Sequence, residues 1–185
     1  MNLHVAPPPT PPETTIVVPL RHPDHGSVVA AIRTAVLADL PAVNRLHHRS
    51  ALASRTARYF SPRRELREIE WRRQVNARRG RTWVTSTSAA PDDVLGVVQL
   101  LRTEHEGEYD LGLMVDDSWQ GLGLGTALTV MAIEEGRNRP DCRSITALTG
   151  TGNARMLSIL RGLGARFHDQ QGNTITATIT GWRSA

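Results

Sequence analysis

The sequence feature that most restricts the fold is a run of alternating glycines between an apolar segment and a predicted helix. In the stretch VDDSWQGLGLGTAL, residues 115–128, glycine occupies every second position from 121 to 125. The preceding residues, 107–115, are apolar with partial alternation and predict a strand, whereas residues 125–138 show helical spacing. The chain therefore has to pass from strand to helix through a backbone with few side chains.

This glycine run predicts an anion-binding site. A helix N-terminus leaves about four backbone N–H groups without partners and carries a partial positive charge, and glycines let a phosphate approach those groups directly. A dinucleotide-binding fingerprint would need glycine where Thr126 stands, and the phosphate loop of nucleoside triphosphatases would need a lysine, which this sequence lacks. A simple turn without a ligand would need only one of the three glycines.

Hydrophobic periodicity and helix-end signals predict an α+β chain with the order βααβββαβαββ. Residues 1–15 contain the run PPPTPP and predict a disordered or extended tail, and residues 16–185 predict one domain. The long helical segment is expected to break at Ser61-Pro62 and to stop at Gly80. Strands are predicted at 27–35, 81–88, 93–103, 107–115, 143–149, 165–168 and 173–180, and helices from Asp39-Pro41 onward, over 55–80, over 125–138 and over 153–164.

Composition restricts the class of protein further. The chain has 185 residues, of which 39% are hydrophobic and 22% charged, as in an ordinary globular domain. No apolar run approaches the roughly 20 residues of a membrane helix, and the N-terminus lacks the pattern of a secretory signal. The single cysteine, Cys142, excludes an internal disulfide, and the histidines show no metal-ligand spacing. We therefore expect a cytoplasmic protein without a membrane partner or a bound metal.

The basic residues are unusual in kind and in position. All 22 are arginine, and ten of them lie within residues 55–81, where only three glutamates oppose them. This segment is either a surface for acidic partners or phosphates, or a solvated helical face that reflects arginine-preferring codon usage. The absence of lysine would suit an enzyme that modifies lysines, although the same codon preference explains it.

The run Gln120-Gly121-Leu122-Gly123-Leu124-Gly125 resembles the Q/R-x-x-G-x-G/A signature of the GNAT superfamily of acetyl-CoA-dependent N-acetyltransferases. The preceding LGLMV, the downstream GNARMLSILRGLGA and the order of elements from residue 27 to 180 resemble the same family. The resemblance implies a central mixed twisted sheet of six to seven strands, flanked by about four helices. It also implies acetyl-CoA as co-substrate and no metal.

In that family the strand before the motif separates from the next parallel strand, and the gap exposes backbone groups to the pantetheine arm. By position, Leu113 and Val115 would offer backbone groups to the arm and the acetyl carbonyl, while residues 121–126 would hold the pyrophosphate. Asn153 would cap its helix and also contact the arm. The full set of cofactor positions implied is Leu113, Met114, Val115, Gln120, Gly121, Leu122, Gly123, Leu124, Gly125, Thr126, Asn153 and Met156.

Acetyl transfer needs a neutral amine, and because a lysine amine has a pKa of about 10.4, a base must remove its proton. Many family members use a tyrosine as acid seven residues after the asparagine, but this sequence has Leu160 there, and Ser158 is not assigned to the role. That departure, with SRTARYFSPRREL, DDSWQGLGLGTAL and NARMLSILRGLGA, resembles the bacterial Pat-type protein-lysine acetyltransferases, which place a glutamate base on the strand before the motif. The corresponding residue is Asp110, which is one methylene shorter and would act through a water molecule or act poorly. Glu108 on the same strand face could substitute.

The expected function is therefore transfer of an acetyl group to a primary amine, by resemblance a protein lysine, directly within a ternary complex. A small amine such as an antibiotic or a polyamine is the alternative acceptor. A catalytically weak acyl-CoA-binding regulator is the alternative of a different class. His47 and His48 are candidate acceptor contacts, nucleic acid is not an expected partner, and the chain is expected to be a monomer or a homodimer.

Overall fold

The computed structural model describes residues 15–182, which form one eight-stranded sheet with helices on both faces. The strands lie in the order β1-β2-β3-β4-β5-β6-β8-β7, and all neighbours are antiparallel except β5 and β6. The strands are β1 Ile16–His22, β2 Gly26–Thr34, β3 Gly80–Thr87, β4 Gly96–Arg102, β5 Glu108–Val115, β6 Ser144–Gly150, β7 Arg166–Gln171 and β8 Thr174–Ile179. The helices are α1 Leu40–Arg49, α2 Leu52–Tyr59, α3 Glu68–Gln74, α4 Leu124–Asn138 and α5 Ala154–Gly162, with short 3₁₀ turns at Leu37–Asp39 and Asp117–Trp119.

The expected α+β class is confirmed, with one strand more than the six to seven predicted. The added strand is β1, which pairs antiparallel with β2 and places Pro19 opposite Val29. Because β1 lies at the sheet edge, a proline that donates no hydrogen bond is tolerated there. All but one residue of the predicted tail, 1–15, lies outside the described residues.

The predicted break of the 55–80 segment at Ser61-Pro62 is confirmed, but the helical part of the segment is shorter than predicted. The segment forms two separate helices, α2 and α3, and residues 60–67 between them are not helical. Phe60 ends α2 in the left-handed region at φ 51°, and the Glu70 carboxylate accepts a hydrogen bond from the Arg67 backbone at the start of α3. Gly80 begins β3 instead of ending a helix. Glycine is required at this position because, at φ 140°, a side chain would collide with the Leu100 carbonyl.

Two hydrophobic layers cover the two faces of the sheet. On one face, α4 contributes Leu124, Leu128 and Ala132 to a cluster that includes the β5 residues Tyr109 and Leu111. The other face is covered by α1 and α3. Its buried side chains include Val43, Leu46, Trp71 and Val84, together with Met114 from β5. Odd-numbered side chains of β5 therefore face α4, and even-numbered ones, from Glu108 to Met114, face the opposite side.

The parallel pair β5–β6 separates part of the way along its length. Pairing covers only Glu108–Asp110 against Ser144–Thr146, although both strands continue well beyond those residues. Farther along, β6 keeps its partner β8 up to the pair Gly150 and Thr174, so it is β5 from which it diverges. The sheet therefore opens between its two central strands directly after Asp110.

Candidate active site

A cleft of about 1670 Å³ occupies the opening between β5 and β6. Its walls are β5 from Leu111 to Val115, the loop and helix start at 120–126, the end of β6 with the first half of α5, and the inner side of α2. Pockets for drug-sized ligands measure roughly 300–1,000 Å³. The cleft therefore has room for a long, extended ligand.

The β5 wall presents backbone groups as well as side chains. The Tyr109 carbonyl accepts a hydrogen bond from Thr146 Oγ1 on β6 at 3.3 Å, so backbone groups of odd-numbered β5 residues point toward β6. Because pairing with β6 stops at Asp110, the groups of Leu111, Leu113 and Val115 face the cleft. The Val115 carbonyl accepts a hydrogen bond from Gln120 Nε2 at 3.0 Å and is therefore engaged within the protein. Leu113 remains the predicted backbone contact for a ligand.

At the mouth of the cleft, the glycine loop leads into an uncapped helix. Gly121 and Gly123 have φ values of 78° and 90°, and Gly123 is the N-cap of α4 without any side-chain hydrogen bond. The first intrahelical bond runs from the Ala127 amide to the Gly123 carbonyl at 3.0 Å. The amides of Leu124, Gly125 and Thr126 precede that bond and are available to an anion.

Gly125 differs from the other two glycines because the fold does not require it. It is helical, and a Cβ there would lie 3.5 Å from Leu113 Cδ2, 3.6 Å from Ile159 Cδ1 and 3.8 Å from Val115 Cγ2, which are ordinary contacts. Gly125 lines the cleft, so its missing side chain leaves space for a ligand.

Gln120 links the elements that surround the loop. Its Nε2 donates to the Val115 carbonyl and, at 2.9 Å, to Asp117 Oδ1, while its Oε1 accepts from Arg155 Nη1 at 2.7 Å. Arg155 is exposed and lines the cleft beside the glycine loop. The predicted Gln120 therefore holds the loop and orients Arg155, whose guanidinium can also reach a phosphate.

The α5 side of the cleft contains the two remaining predicted positions. Asn153 is the N-cap of α5, and its Oδ1 accepts from the Met156 amide at 3.2 Å while the residue also lines the cleft. Met156 is buried against the α4-side cluster and lines the cleft as well.

Three predicted cofactor residues have side chains that pack into a hydrophobic cluster instead of entering the cleft. Leu124 is fully buried in the α4-side cluster and Leu122 packs against the same cluster, so only their backbones can reach a ligand. Met114 lines the cleft, but its side chain is buried in the cluster under α1 and α3. The remaining positions, Leu113, Val115, Gln120, Gly121, Gly123, Gly125, Thr126, Asn153 and Met156, all line the cleft.

Asp110 occupies the last paired position before the strands separate, opposite Thr146 of β6. Burial raises its pKa above the ordinary value, the Arg58 guanidinium offsets part of that rise, and Glu108 adds to it. A half-buried carboxylate with a raised pKa is a better proton acceptor than an exposed one. Glu108 shares the strand face but lines a separate hollow of about 470 Å³, where its Oε1 accepts from Thr103 Oγ1 at 3.0 Å.

Two arginines of the cleft, Arg58 and Arg155, were not predicted from the sequence. Arg58 lies on α2 among the arginines of residues 55–81, and its guanidinium packs on Gly112, where a Cβ would overlap it. Its Nη2 donates to Gln99 Oε1 on β4, and the guanidinium lies 5.0 Å from the centre of the Tyr59 ring. The sequence alone could not distinguish Arg58 from the other arginines of residues 55–81, because nothing in the sequence shows which of them faces the cleft.

Of the other residues considered from the sequence, His47, His48 and Leu160 do not line the cleft, whereas Ser158 does. His47 is fully buried with Nε2 2.8 Å from the Tyr59 hydroxyl, and the exposed His48 lies 2.7 Å from Glu65 Oε1. Leu160, at the family's tyrosine position, is buried in the core, while Ser158 is exposed and lines the cleft. Within residues 15–182, no group of three or more His, Cys, Asp or Glu side chains is arranged to hold a metal ion. Over the same range, none of the helices combines the length and apolar character needed to cross a membrane.

The sheet opens between two parallel strands beside an uncapped helix start. The resulting cleft suits a long ligand that carries an anionic group. The model of the acetyltransferase (GNAT) domain matches residues 30–166, which is most of the sequence. The chain belongs to the GNAT acetyltransferase family, whose members take the acetyl group from acetyl-CoA, and the predicted family is confirmed. None of the curated protein sequences matches this chain significantly.

Solved structures support the fold. The GNAT domain of PAT from S. lividans superposes with a TM-score of 0.73 at 18% identity, covering 91% of this chain and 96% of that chain. Mycobacterium smegmatis RimJ in complex with CoA-disulfide gives a TM-score of 0.61 at 20% identity, covering 90% and 87%. Spermidine N-acetyltransferase from Vibrio cholerae, in complex with CoA and spermine, gives 0.65 at 13% identity, covering 82% and 95%. At these identities the similarity concerns the fold.

Proposed function

We propose that this chain transfers the acetyl group of acetyl-CoA to the side-chain amine of a protein lysine, directly and within a ternary complex. The observation that carries the proposal is the separation of β5 from β6 directly after Asp110. Asp110 does not itself line the cleft, but it is the residue next to Leu111, where the cleft lining begins on β5. Membership of the GNAT acetyltransferase family indicates the reaction class, and the residues of the cleft and of β5 indicate how the chain would carry it out.

The cleft fits the cofactor in its shape and its chemistry. The diphosphate would lie on the amides of residues 121–126 with Arg155 beside it, because a helix start and a guanidinium both favour phosphate oxygens. The pantetheine arm would run between β5 and β6, with Leu113 offering backbone groups and Asn153 its side chain. Acetyl-CoA supplies the activated acyl group, and the chain's own residues align it and exclude water.

Asp110 would remove the proton from the acceptor amine, directly or through one water molecule. Its partly buried position raises its pKa, which improves its basicity. Glu108 is a poorer candidate because its carboxylate lies in the separate hollow and is engaged by Thr103.

Two other functions each have one observation in their favour. A small amine acceptor is favoured by the likeness to the Vibrio cholerae spermidine N-acetyltransferase, but a polycation would meet the Arg58 guanidinium near Asp110. A regulatory module that binds acyl-CoA without turnover is favoured by the leucine at position 160, where many family members have a tyrosine acid.

The decisive experiment compares wild type with Asp110→Asn for CoA thiol release, using acetyl-CoA and a panel of lysine peptides and small amines. We expect turnover to fall by roughly 10²- to 10⁴-fold, the usual contribution of a general base, while calorimetry shows an unchanged affinity for acetyl-CoA. Glu108→Gln is the matched control and should lose far less. Turnover on small amines but on no peptide would overturn the lysine acceptor, and binding without turnover would establish the regulatory alternative.

A further inference from the structure

Arg58 is a cation of the cleft wall that forms no direct ion pair, although it lies close enough to Asp110 to lower the pKa of that carboxyl. Its side chain is half-buried, lines the cleft and lies over Gly112, two residues after Asp110 on β5. Among the described residues, 15–182, no Asp or Glu oxygen lies within 4.0 Å of it, although many other arginines of the chain form such pairs. A half-buried guanidinium with N–H donors left over is a site for an anionic group.

The position of this guanidinium is set by a relay of side chains. Arg58 Nη2 donates to Gln99 Oε1, and Gln99 Nε2 donates to Gln74 Oε1 at 2.6 Å. Gln99 is buried and stands opposite Gly112 in the β4–β5 register. Because Gly112 has no side chain, the guanidinium can lie against the β5 backbone, so the relay and the glycine together fix a charge that would otherwise be mobile.

The geometry indicates which part of a substrate this charge meets. An acceptor lysine that reaches Asp110 holds its own backbone away by a four-carbon stem, so acidic neighbours in its peptide would remain near the mouth of the site. In the proposed cofactor position the acyl chain would start beside Leu113, next to Gly112, and Arg58 lies over Gly112 as another residue of the cleft lining. The group within reach of Arg58 is therefore the far end of the acyl chain.

We propose that Arg58 extends the donor range of the site beyond acetyl-CoA to acyl donors whose chain ends in a carboxylate, such as a four-carbon dicarboxylic acyl-CoA, and favours them over neutral chains of the same length. This inference rests on the proposed acyl transfer and names its donor class. The amine nitrogen forms an amide bond with the acyl carbonyl carbon and the carbon–sulfur bond breaks. CoA leaves as the thiol with the proton that the amine gives up through Asp110, and the terminal carboxylate remains unchanged, paired with Arg58.

The test compares kcat/KM for succinyl-CoA and butyryl-CoA, which share a four-carbon chain and differ in the terminal carboxylate, with one lysine peptide as acceptor. We expect wild type to prefer succinyl-CoA, and Arg58→Gln to reduce that preference by at least about tenfold, as a charge-assisted bidentate contact implies. The ratio cancels any change in the basicity of Asp110, because both donors use the same base. The matched control is Arg64→Gln, an exposed arginine beyond α2, which should leave the ratio unchanged.

Different results identify which idea fails. Turnover of both donors with no preference, or a preference that survives in Arg58→Gln, overturns the role of Arg58 while leaving acyl transfer intact. A loss in Arg58→Gln that is equal for both donors, and larger for peptides with an acidic residue beside the lysine, assigns Arg58 to the acceptor and also overturns it. If no donor is turned over, the proposed function fails, and calorimetry with the carboxypropyl and butyl thioethers of CoA still decides whether Arg58 selects the carboxylate.

Discussion

Replacing Gly125 by alanine should raise the stability of the fold and weaken cofactor binding at the same time. The new methyl group would meet Leu113, Ile159 and Val115 at 3.5–3.8 Å, so the protein has room for it. Removing a glycine from a helix stabilises by about 0.5–1 kcal/mol, which for a chain of this size corresponds to about 1–4 °C in melting temperature. The same methyl group occupies cleft space beside the amides at the start of α4. Displacing a phosphate from one charge-assisted hydrogen bond costs about 1.5–3 kcal/mol, or roughly 10- to 100-fold in affinity.

Calorimetry with CoA and thermal unfolding of the ligand-free protein measure the two effects separately. Gly162→Ala is the matched control, because Gly162 lies in α5, has open space around a Cβ and does not line the cleft. It should leave CoA affinity unchanged. An affinity for CoA that is also unchanged in Gly125→Ala would refute the placement of the diphosphate at this helix start. The positive φ of Gly123 makes a substitution there strained in the free protein, so Gly125 is the cleaner test.

Three further outcomes follow from charges in and near the site. Arg58 lowers the pKa of Asp110, so Arg58→Gln should move the acidic limb of the kcat/KM profile to higher pH, and an unmoved limb would separate Arg58 from the base. Burial lowers the pKa of His47 to about 4, with Arg58, His48, Arg55 and Arg63 adding to the effect. Since unfolded His47 then binds a proton that the folded form does not, the free energy of unfolding should fall by up to about 3 kcal/mol between pH 6.5 and pH 4. His47→Gln should remove that part of the slope in denaturant titrations, and equal slopes would contradict the assignment. Arg155→Gln should weaken CoA binding about three- to tenfold, more at low salt, while Arg161→Gln on the same helix should not; equal salt dependence in both variants would exclude a phosphate contact.

Much of the fold could be predicted because local signals and tertiary packing agree. The strand at 107–115, the helix at 125–138 and the helix at 153–164 were recognisable from periodicity and from glycine or asparagine at their ends. The strand Ile16–His22 escaped because Pro19 argues against a strand unless the residue lies at a sheet edge, and edge position is a property of the assembled sheet. The helix over 55–80 was overestimated because arginine and glutamate favour helix locally, whereas Phe60 turns the chain in the left-handed conformation.

In the site, as in the fold, positions marked by local sequence motifs could be predicted, whereas positions that depend on residues distant in sequence could not. The glycine loop and Asn153 are marked by short motifs, so their positions along the cleft could be anticipated. Arg58 could not be distinguished from nine neighbouring arginines in residues 55–81, because its role depends on Gly112 and Gln99, which are distant in sequence. The burial of His47 depends in the same way on contacts with Tyr59, a partner from another helix.

A crystal structure of the protein with CoA tests the central claim most directly. We expect the diphosphate on the backbone amides of residues 121–126, the pantetheine arm between β5 and β6, and the thiol within a few ångströms of Leu113 and on the side of Asp110. CoA bound elsewhere, or a glycine loop closed by the protein's own side chains in the presence of saturating CoA, would contradict the account.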